Sequence, residues 1–263
     1  MRALLGQLDP EPAAPEANAR RAADIVREHD VELAAFPELF LAGYDLAGVA
    51  ATAIEPDAPA IAALRAAAAE TATALVVGFA ERRGAAVANA AALIDEHGEL
   101  RAVYRKAQLF GAEYDVFEPG ERLVVAELAG RRVGPLICFD VEFPEPARTL
   151  ARAGADLLLT VAANMEPFFG DHLLATRARA LDNRLPHLYV NRCGEEGGLR
   201  FVGGSRAIRN DGTVASEAAT DCEQVLAVDV AAAGSDDARV DYLAHVRDDL
   251  RVVAPMPATG GTR

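Results

Sequence analysis

The chain has 263 residues, of which 51% are hydrophobic and 25% charged, and its formal net charge at pH 7 is −14. This composition is typical of a water-soluble globular protein, and the negative charge argues against nucleic acid as a partner because phosphate binding needs clustered lysine and arginine. The three cysteines are widely spaced and fit neither a disulfide framework nor a zinc motif, so we expect no metal and no cofactor.

Short apolar runs alternate with helical stretches along the chain, which predicts an α/β fold. The predicted strands are Ala3–Leu8, Glu32–Phe36, Ala74–Phe79, Val87–Ile94, Leu100–Tyr104, Leu123–Leu128, Arg132–Ile137, Leu157–Ala162 and His187–Asn191, and the predicted helices are Glu16–Glu28, Pro59–Thr71, Pro144–Ala153 and Asp171–Asn183. No linker rich in proline or serine divides the chain. We therefore predict one domain over residues 1–255 and a flexible tail over residues 256–263.

The N-terminus has the pattern of a strand and lacks the basic start and long apolar core of a signal peptide. No apolar run approaches the roughly eighteen residues that span a membrane. These features predict a cytoplasmic protein without a membrane partner, in a reducing compartment that would keep its thiols free.

Cys138 ends an apolar run, Val133–Ile137, and precedes a polar segment that contains Pro144. A strand ending at Cys138 and a helix beginning near Pro144 would hold the thiol at a strand-to-helix elbow, where open α/β sheets place their chemistry. The backbone N–H groups of Phe139 and Asp140 would then point toward a developing oxyanion. A lone strand cysteine is more often a core residue, so the surrounding charges must decide between the two interpretations.

Charged residues follow two other apolar strands. Glu38 comes after a strand and a proline in A-A-F-P-E, Lys106 closes a strand in V-Y-R-K, and Glu113 lies a short distance further along. Taken singly, each has an ordinary interpretation: Glu38 as a carboxylate at the start of a helix, Lys106 as a solvated strand end and Glu113 as a loop charge.

Together and in this order, the three segments resemble the nitrilase superfamily of carbon–nitrogen hydrolases. The superfamily's catalytic set is a glutamate in F-P-E, a lysine in Y-R-K-x-x-L-F and a cysteine in I-C-[YF]-D-x-E-F-P-E, and this chain has all three motifs. Further motifs extend the resemblance from Ala3 to Leu250, with most similarity to aliphatic amidases of the 5-aminopentanamidase-like and stereoselective kinds. Gln108 departs from the histidine that many relatives have two residues after the lysine, which leaves the catalytic set intact.

The resemblance implies a four-layer α-β-β-α sandwich of two mixed sheets with helices on both outer faces. It also implies a homodimer or a larger homo-oligomer. Amide hydrolysis needs a nucleophile, a proton carrier and a group that stabilises the oxyanion. The resemblance assigns these roles to the thiol of Cys138, to Glu38 as general base, and to Lys106 with the backbone N–H of Phe139, while Glu113 orients the lysine.

Substrate-binding residues follow from position in the family's motifs. Tyr44, Asn164, Met165 and Phe168 are expected to line the pocket, although core packing is an equally ordinary role for an aromatic residue. Glu166 in N-M-E-P could bind the ammonium group of an amino amide, or it could be a solvated loop charge.

Several alternatives remain open at this point. An N-carbamoyl hydrolase, an ω-amidase or a nitrilase would use the same residues as an amidase, and a catalytically idle relative could serve as a binding or assembly module. A histidine base of the papain type is also conceivable among His29, His97, His172, His187 and His245, although no motif ties any of them to Cys138.

Overall fold

The computed structural model describes residues 1–231, 240–247 and 249–251. Its strands are β1 (Arg2–Gln7), β2 (Leu33–Phe36), β3 (Ala74–Arg83), β4 (Ala86–Ile94), β5 (Leu100–Arg105), β6 (Ala126–Leu128), β7 (Arg131–Ile137), β8 (Leu157–Ala162), β9 (His187–Asn191), β10 (Cys193–Glu196), β11 (Leu199–Val202), β12 (Arg206–Ile208), β13 (Val214–Glu217) and β14 (Gln224–Asp229). The α-helices are α1 (Pro15–Arg27), α2 (Val49–Thr52), α3 (Pro59–Thr71), α4 (Pro144–Arg152) and α5 (Phe169–Asn183).

The strands form two mixed six-stranded sheets. The first sheet has the order β14-β1-β2-β3-β4-β5, and the second has the order β13-β12-β9-β8-β7-β6. In each sheet three strands are parallel, β1 with β2 and β3 in the first and β7 with β8 and β9 in the second, and the other pairings are antiparallel. A separate two-stranded ribbon pairs β10 with β11.

Alternating residues of each strand face different layers, as the pleat of a strand requires. In the first sheet, Leu5 and Leu33 pack in a cluster shared with Leu157 and Leu159 of the second sheet. Their neighbour Leu4 packs instead against α1 and α3 in a cluster on the opposite face.

The outer face of the second sheet is covered in the same way. Leu136 and Leu158 share a cluster with Leu150 of α4 and Ala175 of α5. The order is therefore helices, sheet, sheet, helices, and the predicted four-layer α-β-β-α sandwich is confirmed.

Two strand boundaries differ from the sequence prediction by more than one residue. β3 continues beyond Phe79 to Arg83, because its polar end pairs with the start of β4 and the buried carboxylate of Glu81 accepts a 2.6 Å hydrogen bond from Arg105. β6 begins at Ala126 rather than at Leu123.

Residues 252–263 lie outside the described part of the chain, so the predicted end of the domain and the predicted tail over 256–263 fall there. Across the described residues, no helix combines the length and apolarity that a membrane crossing requires.

Candidate active site

Cys138 lies at an elbow between β7 and α4. β7 ends at Ile137, a 3-10 helix runs over Cys138–Glu142, and α4 begins at Pro144. The backbone φ of Cys138 is +45°, in the left-handed region that costs free energy for a residue with a Cβ. Strain of this kind is typical of residues held in place for function.

Asp140 fixes the geometry of this elbow. Its buried carboxylate accepts hydrogen bonds from the Ile137 N–H (2.9 Å), the Gln108 N–H (2.8 Å) and the Tyr104 hydroxyl (2.6 Å). Burial raises the pKa of Asp140, although these three donors oppose that shift. The carboxylate therefore ties the cysteine turn to the segment that follows Lys106. Gln108 contributes only its backbone to this contact.

The ammonium group of Lys106 lies between two carboxylates. Its Nζ is 2.7 Å from Glu38 Oε1 and 2.8 Å from Glu113 Oε2, and all three side chains have no exposed surface. Burial by itself would lower the pKa of Lys106, but the charges of Glu38 and Glu113 outweigh it and hold that pKa well above the ordinary value. Glu113 Oε1 is also within hydrogen-bond distance of Nζ, at 2.9 Å, so both oxygens of that carboxylate contact the ammonium.

Glu38 is held by groups from both sheets. Its Oε1 accepts hydrogen bonds from Lys106 and from Asn89 Nδ2, each at 2.7 Å, and its Oε2 accepts one from the Ala163 N–H at 2.7 Å. Ala163 directly follows β8 of the second sheet, whereas Glu38 follows β2 of the first. Gly78 of β3 permits the close approach of this segment, because a Cβ at Gly78 would lie 2.6 Å from the Cα of Glu38.

Glu113 lies in a 3-10 helix over Gly111–Asp115. Besides Lys106, its carboxylate accepts a hydrogen bond from the Tyr44 hydroxyl at 2.7 Å and one from the Phe110 N–H at 2.9 Å. Tyr44 thus contacts the catalytic set as well as the pocket, which adds a positioning role to the one expected for it.

The surroundings of Cys138 favour the thiol over the thiolate. Burial raises the pKa of the thiol well above its ordinary value, and the negative charge of Glu38 raises it further, while Lys106 opposes the shift. A backbone hydrogen bond from Ala163 also opposes it. The nucleophile would therefore need a base to remove its proton, and Glu38 is the charged group with the largest effect on it.

A narrow pocket opens beside Cys138. Its lining residues are Tyr44, Phe110, Cys138, Phe139, Glu142, Ala163, Asn164, Met165, Phe168 and His172. The accessible volume is about 20 Å³, little more than the roughly 10–15 Å³ that one water molecule needs by the same measure. The space next to the thiol is therefore small.

The structure brings four of the five predicted substrate-binding residues to this pocket, namely Tyr44, Asn164, Met165 and Phe168. It also places Phe139 there. Glu166 lies elsewhere: its side chain is 55% exposed and pairs with Arg200 at 2.7 Å. The structure places Glu166 outside this pocket, in keeping with the interpretation as a solvated loop charge, because the chain after Met165 turns its side chain toward β11.

Some residues of the site were not predicted from the sequence. Asn89 donates to Glu38 and lies in the apolar strand β4, where a single buried polar side chain is a signal that could have been used. Glu142 lines the pocket as well, together with His172.

The geometry does not support a histidine base. The two ring nitrogens of His172 contact the Tyr189 hydroxyl (2.9 Å) and Glu142 Oε1 (3.3 Å), so neither is directed at Cys138. His187 is likewise occupied by Thr160 and by the carbonyl of Thr176. Within the described ranges of the chain, no group of three or more histidine, cysteine, aspartate or glutamate side chains could hold a metal ion.

Known proteins share this sequence and this fold. A model of the carbon–nitrogen hydrolase family matches residues 2–239. A Pseudomonas protegens protein described as a hydrolase in the pqqF 5' region is 39% identical over 219 residues, covering 81% of this chain and 77% of the relative. An (R)-stereoselective amidase from Pseudomonas sp. is 37% identical over 194 residues, covering 73% and 70% of the two chains.

Among solved structures, an amidase from Nesterenkonia sp. has a TM-score of 0.84 and 33% identity, covering 94% of this chain and 93% of that one. One variant of the Nesterenkonia sp. AN1 amidase shows covalent addition of the acetamide moiety of fluoroacetamide at the active-site cysteine, and another is in complex with butyramide. The predicted family is confirmed. These relatives are described as enzymes, which favours an enzyme over a catalytically idle binding module. The chain belongs to the carbon–nitrogen hydrolase family, as an amidase-type enzyme of the nitrilase superfamily that depends on an active-site cysteine.

Proposed function

We propose that the enzyme hydrolyses a small aliphatic carboxamide to a carboxylic acid and ammonia through a thioester on Cys138. The observation that carries this proposal is the buried ammonium of Lys106, held at 2.7 Å and 2.8 Å by Glu38 and Glu113 in the surroundings of the Cys138 thiol. This arrangement combines a nucleophile, a base and a cation in one pocket that admits a small acyl group.

In the first half of the reaction, Glu38 accepts the proton of the Cys138 thiol as the sulfur attacks the amide carbonyl carbon. The carbonyl oxygen becomes an oxyanion, which the positive charge of Lys106 and the Phe139 N–H stabilise. The carbon–nitrogen bond then breaks, and protonated Glu38 returns its proton to the leaving nitrogen. The products of this half are ammonia and the thioester.

In the second half, Glu38 removes a proton from water as the water oxygen attacks the thioester carbonyl carbon. A second oxyanion forms in the same place, the carbon–sulfur bond breaks, and the thiolate recovers its proton from Glu38. Glu113 positions Lys106 throughout, because its carboxylate accepts from Lys106, Tyr44 and Phe110.

Asn164 supports an amide substrate. Its side chain is 3% exposed and lines the pocket, and its Oδ1 accepts no hydrogen bond from the described residues. An unsatisfied buried acceptor costs free energy, and a substrate –NH2 group is a donor of the right kind to satisfy it.

The butyramide complex and the acetamide adduct of the similar Nesterenkonia amidase support the same choice of substrate. The family also contains relatives named nitrilase. N-carbamoyl hydrolase, ω-amidase and nitrilase activities are therefore the alternatives that an experiment must separate.

The test is a screen for ammonia release over butyramide, an N-carbamoyl amino acid, a deaminated ω-amide and butyronitrile, each with product identification. We expect butyramide to be converted to butyrate and ammonia by the wild type and not by Cys138→Ala or Cys138→Ser. Covalent trapping by fluoroacetamide, detected as a mass shift on the peptide that contains Cys138, should be absent from both variants. Substantial amidase activity in purified Cys138→Ala would rule out the mechanism. If butyronitrile were the one compound converted, the substrate would be a nitrile and the proposal of an amide would be wrong.

A further inference from the structure

The ribbon of β10 and β11 lies next to a buried ion pair that the proposed mechanism does not use. The side chain of Arg192, the residue before the ribbon, is 1% exposed, and its Nη1 donates a 2.6 Å hydrogen bond to Glu196 Oε2. Its Nη2 donates to Asp9 Oδ1 at 2.7 Å, and its guanidinium lies 4.0 Å from the centre of the Phe201 ring. Because a buried guanidinium requires a carboxylate partner, Arg192 fixes the position of the Glu196 side chain.

Glu196 holds the turn that follows the general base. Its Oε2 accepts a 2.7 Å hydrogen bond from the backbone N–H of Tyr44, and its side chain is 7% exposed. Gly43 permits this contact, because its φ of +83° lies in the left-handed region and a Cβ there would lie 2.6 Å from Glu196 Oε1. The N–H of Gly43 donates in turn to the carbonyl of Leu39, the residue after Glu38. The carboxylate of Glu196 therefore lies against the backbone of this turn.

Tyr44 connects the turn to the catalytic carboxylate of Glu113. Burial raises the pKa of the Tyr44 hydroxyl above its ordinary value, so the hydroxyl keeps its proton and donates it to Glu113 Oε1 at 2.7 Å. The Tyr44 ring packs edge-on against Phe201 of β11, with 5.6 Å between the ring centres. The ribbon thus contacts Tyr44 at its backbone and at its ring, whereas the hydroxyl contacts the catalytic set.

The two oxygens of Glu196 have different surroundings. Oε2 accepts from both Arg192 and Tyr44. Oε1 is buried and has no hydrogen-bond donor among the described residues. The hydrogen bonds of this side chain are therefore made by one oxygen, and an amide nitrogen in the place of Oε1 would remove none of them.

Resting on the proposed function, we infer that Glu196 is a positioning residue for amide hydrolysis, which fixes the backbone of Tyr44 and, through the Tyr44 hydroxyl, the place of Glu113. Glu113 in turn holds the ammonium of Lys106 at 2.8 Å. Misplacing a catalytic group slows the chemical step. Because Glu196 does not line the pocket beside Cys138, its loss should act more on kcat than on KM.

The experiment separates the reach of the Glu196 carboxylate from its charge. Glu196→Asp keeps the charge that pairs with Arg192, but its side chain is shorter by a methylene group and its oxygen withdraws from the Tyr44 N–H. Glu196→Gln keeps the length and an acceptor oxygen and removes the charge. Glu195→Asp is the matched control, because Glu195 is the exposed neighbour on the same strand. For each variant, kcat and KM for butyramide are measured together with urea denaturation.

We expect Glu196→Asp to lower kcat about tenfold with a smaller change in KM, and Glu196→Gln to keep kcat within about threefold of the wild type. Glu195→Asp should have the kcat of the wild type. If Glu196 served only as the ion-pair partner of Arg192, Glu196→Gln would be the more damaging variant, because it removes a charge from a buried pair. That reversed order, or a wild-type kcat in Glu196→Asp, would overturn the inference.

A double variant tests whether the effect passes through the Tyr44 hydroxyl. Tyr44→Phe lacks the hydrogen bond to Glu113, so adding Glu196→Asp to it should lower kcat by less than about twofold further, whereas independent effects would multiply. The full tenfold loss in that background would contradict the inference.

Butyramide turnover by the wild type separates the two proposals. Its absence overturns the proposed function, whereas normal turnover with the reversed order of variants overturns only the role of Glu196. Covalent trapping of Cys138 by fluoroacetamide needs no turnover, and its rate should rank the variants in the same order. Equal trapping rates in Glu196→Asp and the wild type would count against the positioning role even if butyramide were not converted.

Discussion

Gly78 offers a sharp test of how the fold positions the general base. A Cβ at this residue would lie 2.2 Å from the carbonyl oxygen of Pro37, 2.6 Å from the Cα of Glu38 and 2.6 Å from the nitrogen of Leu39. These are backbone atoms and cannot rotate away as the end of a side chain could. Gly78→Ala must therefore push the segment that carries Glu38 back by roughly 1 Å to reach an ordinary carbon contact distance.

This displacement would stretch the short hydrogen bonds that hold the Glu38 carboxylate. The carboxylate of Glu38 is held at 2.7 Å by Lys106 and at 2.7 Å by the Ala163 N–H. Because misplacing a reacting group by 1 Å can cost about a hundredfold in rate, we expect kcat for butyramide to fall by roughly that factor in Gly78→Ala. Overpacking should also lower the free energy of unfolding by about 1–3 kcal/mol.

The assay measures ammonia release and urea denaturation on the same samples, so that lost activity can be separated from lost folded protein. Gly170→Ala is the matched control, since among the described residues a Cβ there meets no atom within 4 Å apart from its chain neighbours and the backbone of its own helix. A Gly78→Ala enzyme with reduced stability but wild-type kcat would refute the reasoning, because it would show that Glu38 keeps its position without the close approach.

Three further predictions concern the charges of the site and the core. Lys106→Ala should lower kcat by roughly a thousandfold, which is the effect of losing an oxyanion donor. The double variant Lys106→Ala with Cys138→Ala should be no less active than Cys138→Ala alone, because the residues act as a unit. A near-normal kcat in Lys106→Ala would show that Lys106 does not stabilise the oxyanion. Tyr44→Phe, which deletes the 2.7 Å hydrogen bond to Glu113, should lower kcat about tenfold, and unchanged kinetics would show that Glu113 is held without it. Burial lowers the pKa of His187 to about 4. As the pH falls, the unfolded chain therefore binds a proton at this histidine before the folded protein does. The free energy of unfolding should then decrease by about 3 kcal/mol between pH 6.5 and pH 4. Urea denaturation across this range should show that loss in the wild type and a smaller one in His187→Gln, whereas identical pH dependence would contradict it.

The local pattern predicted the strands and helices well where it agrees with tertiary packing, whereas the four layers followed from the family resemblance. The strand Leu157–Ala162 and the helix Pro59–Thr71 have the predicted bounds, since each is a periodic run with clear end signals. β3 was predicted too short, because Glu81 and Arg83 are charged and charged residues are not typical of a strand. Pairing with β4 and the ion pair between Glu81 and Arg105 stabilise this part of the strand. Pairing between distant segments has no local signature.

The catalytic set was predictable because its motifs are specific, whereas side-chain direction around the pocket was not. Glu142 and Glu166 both stand in family motifs next to the site. Their directions depend on distant partners, His172 for the first and Arg200 for the second. The predicted homo-oligomer, the cytoplasmic location and the assigned roles of individual residues stay predictions.

The catalytic set draws on both sheets, and this has a consequence for folding. Glu38 and Lys106 follow strands of the first sheet, whereas Cys138 and Ala163 follow strands of the second. If both sheets formed before they packed against each other, the Cys138 thiol would lie far from its base Glu38 and from Lys106. Hydrolytic activity therefore reports the docking of the two sheets, and during refolding it should return with the fluorescence of the buried tyrosines rather than with the earlier recovery of secondary structure.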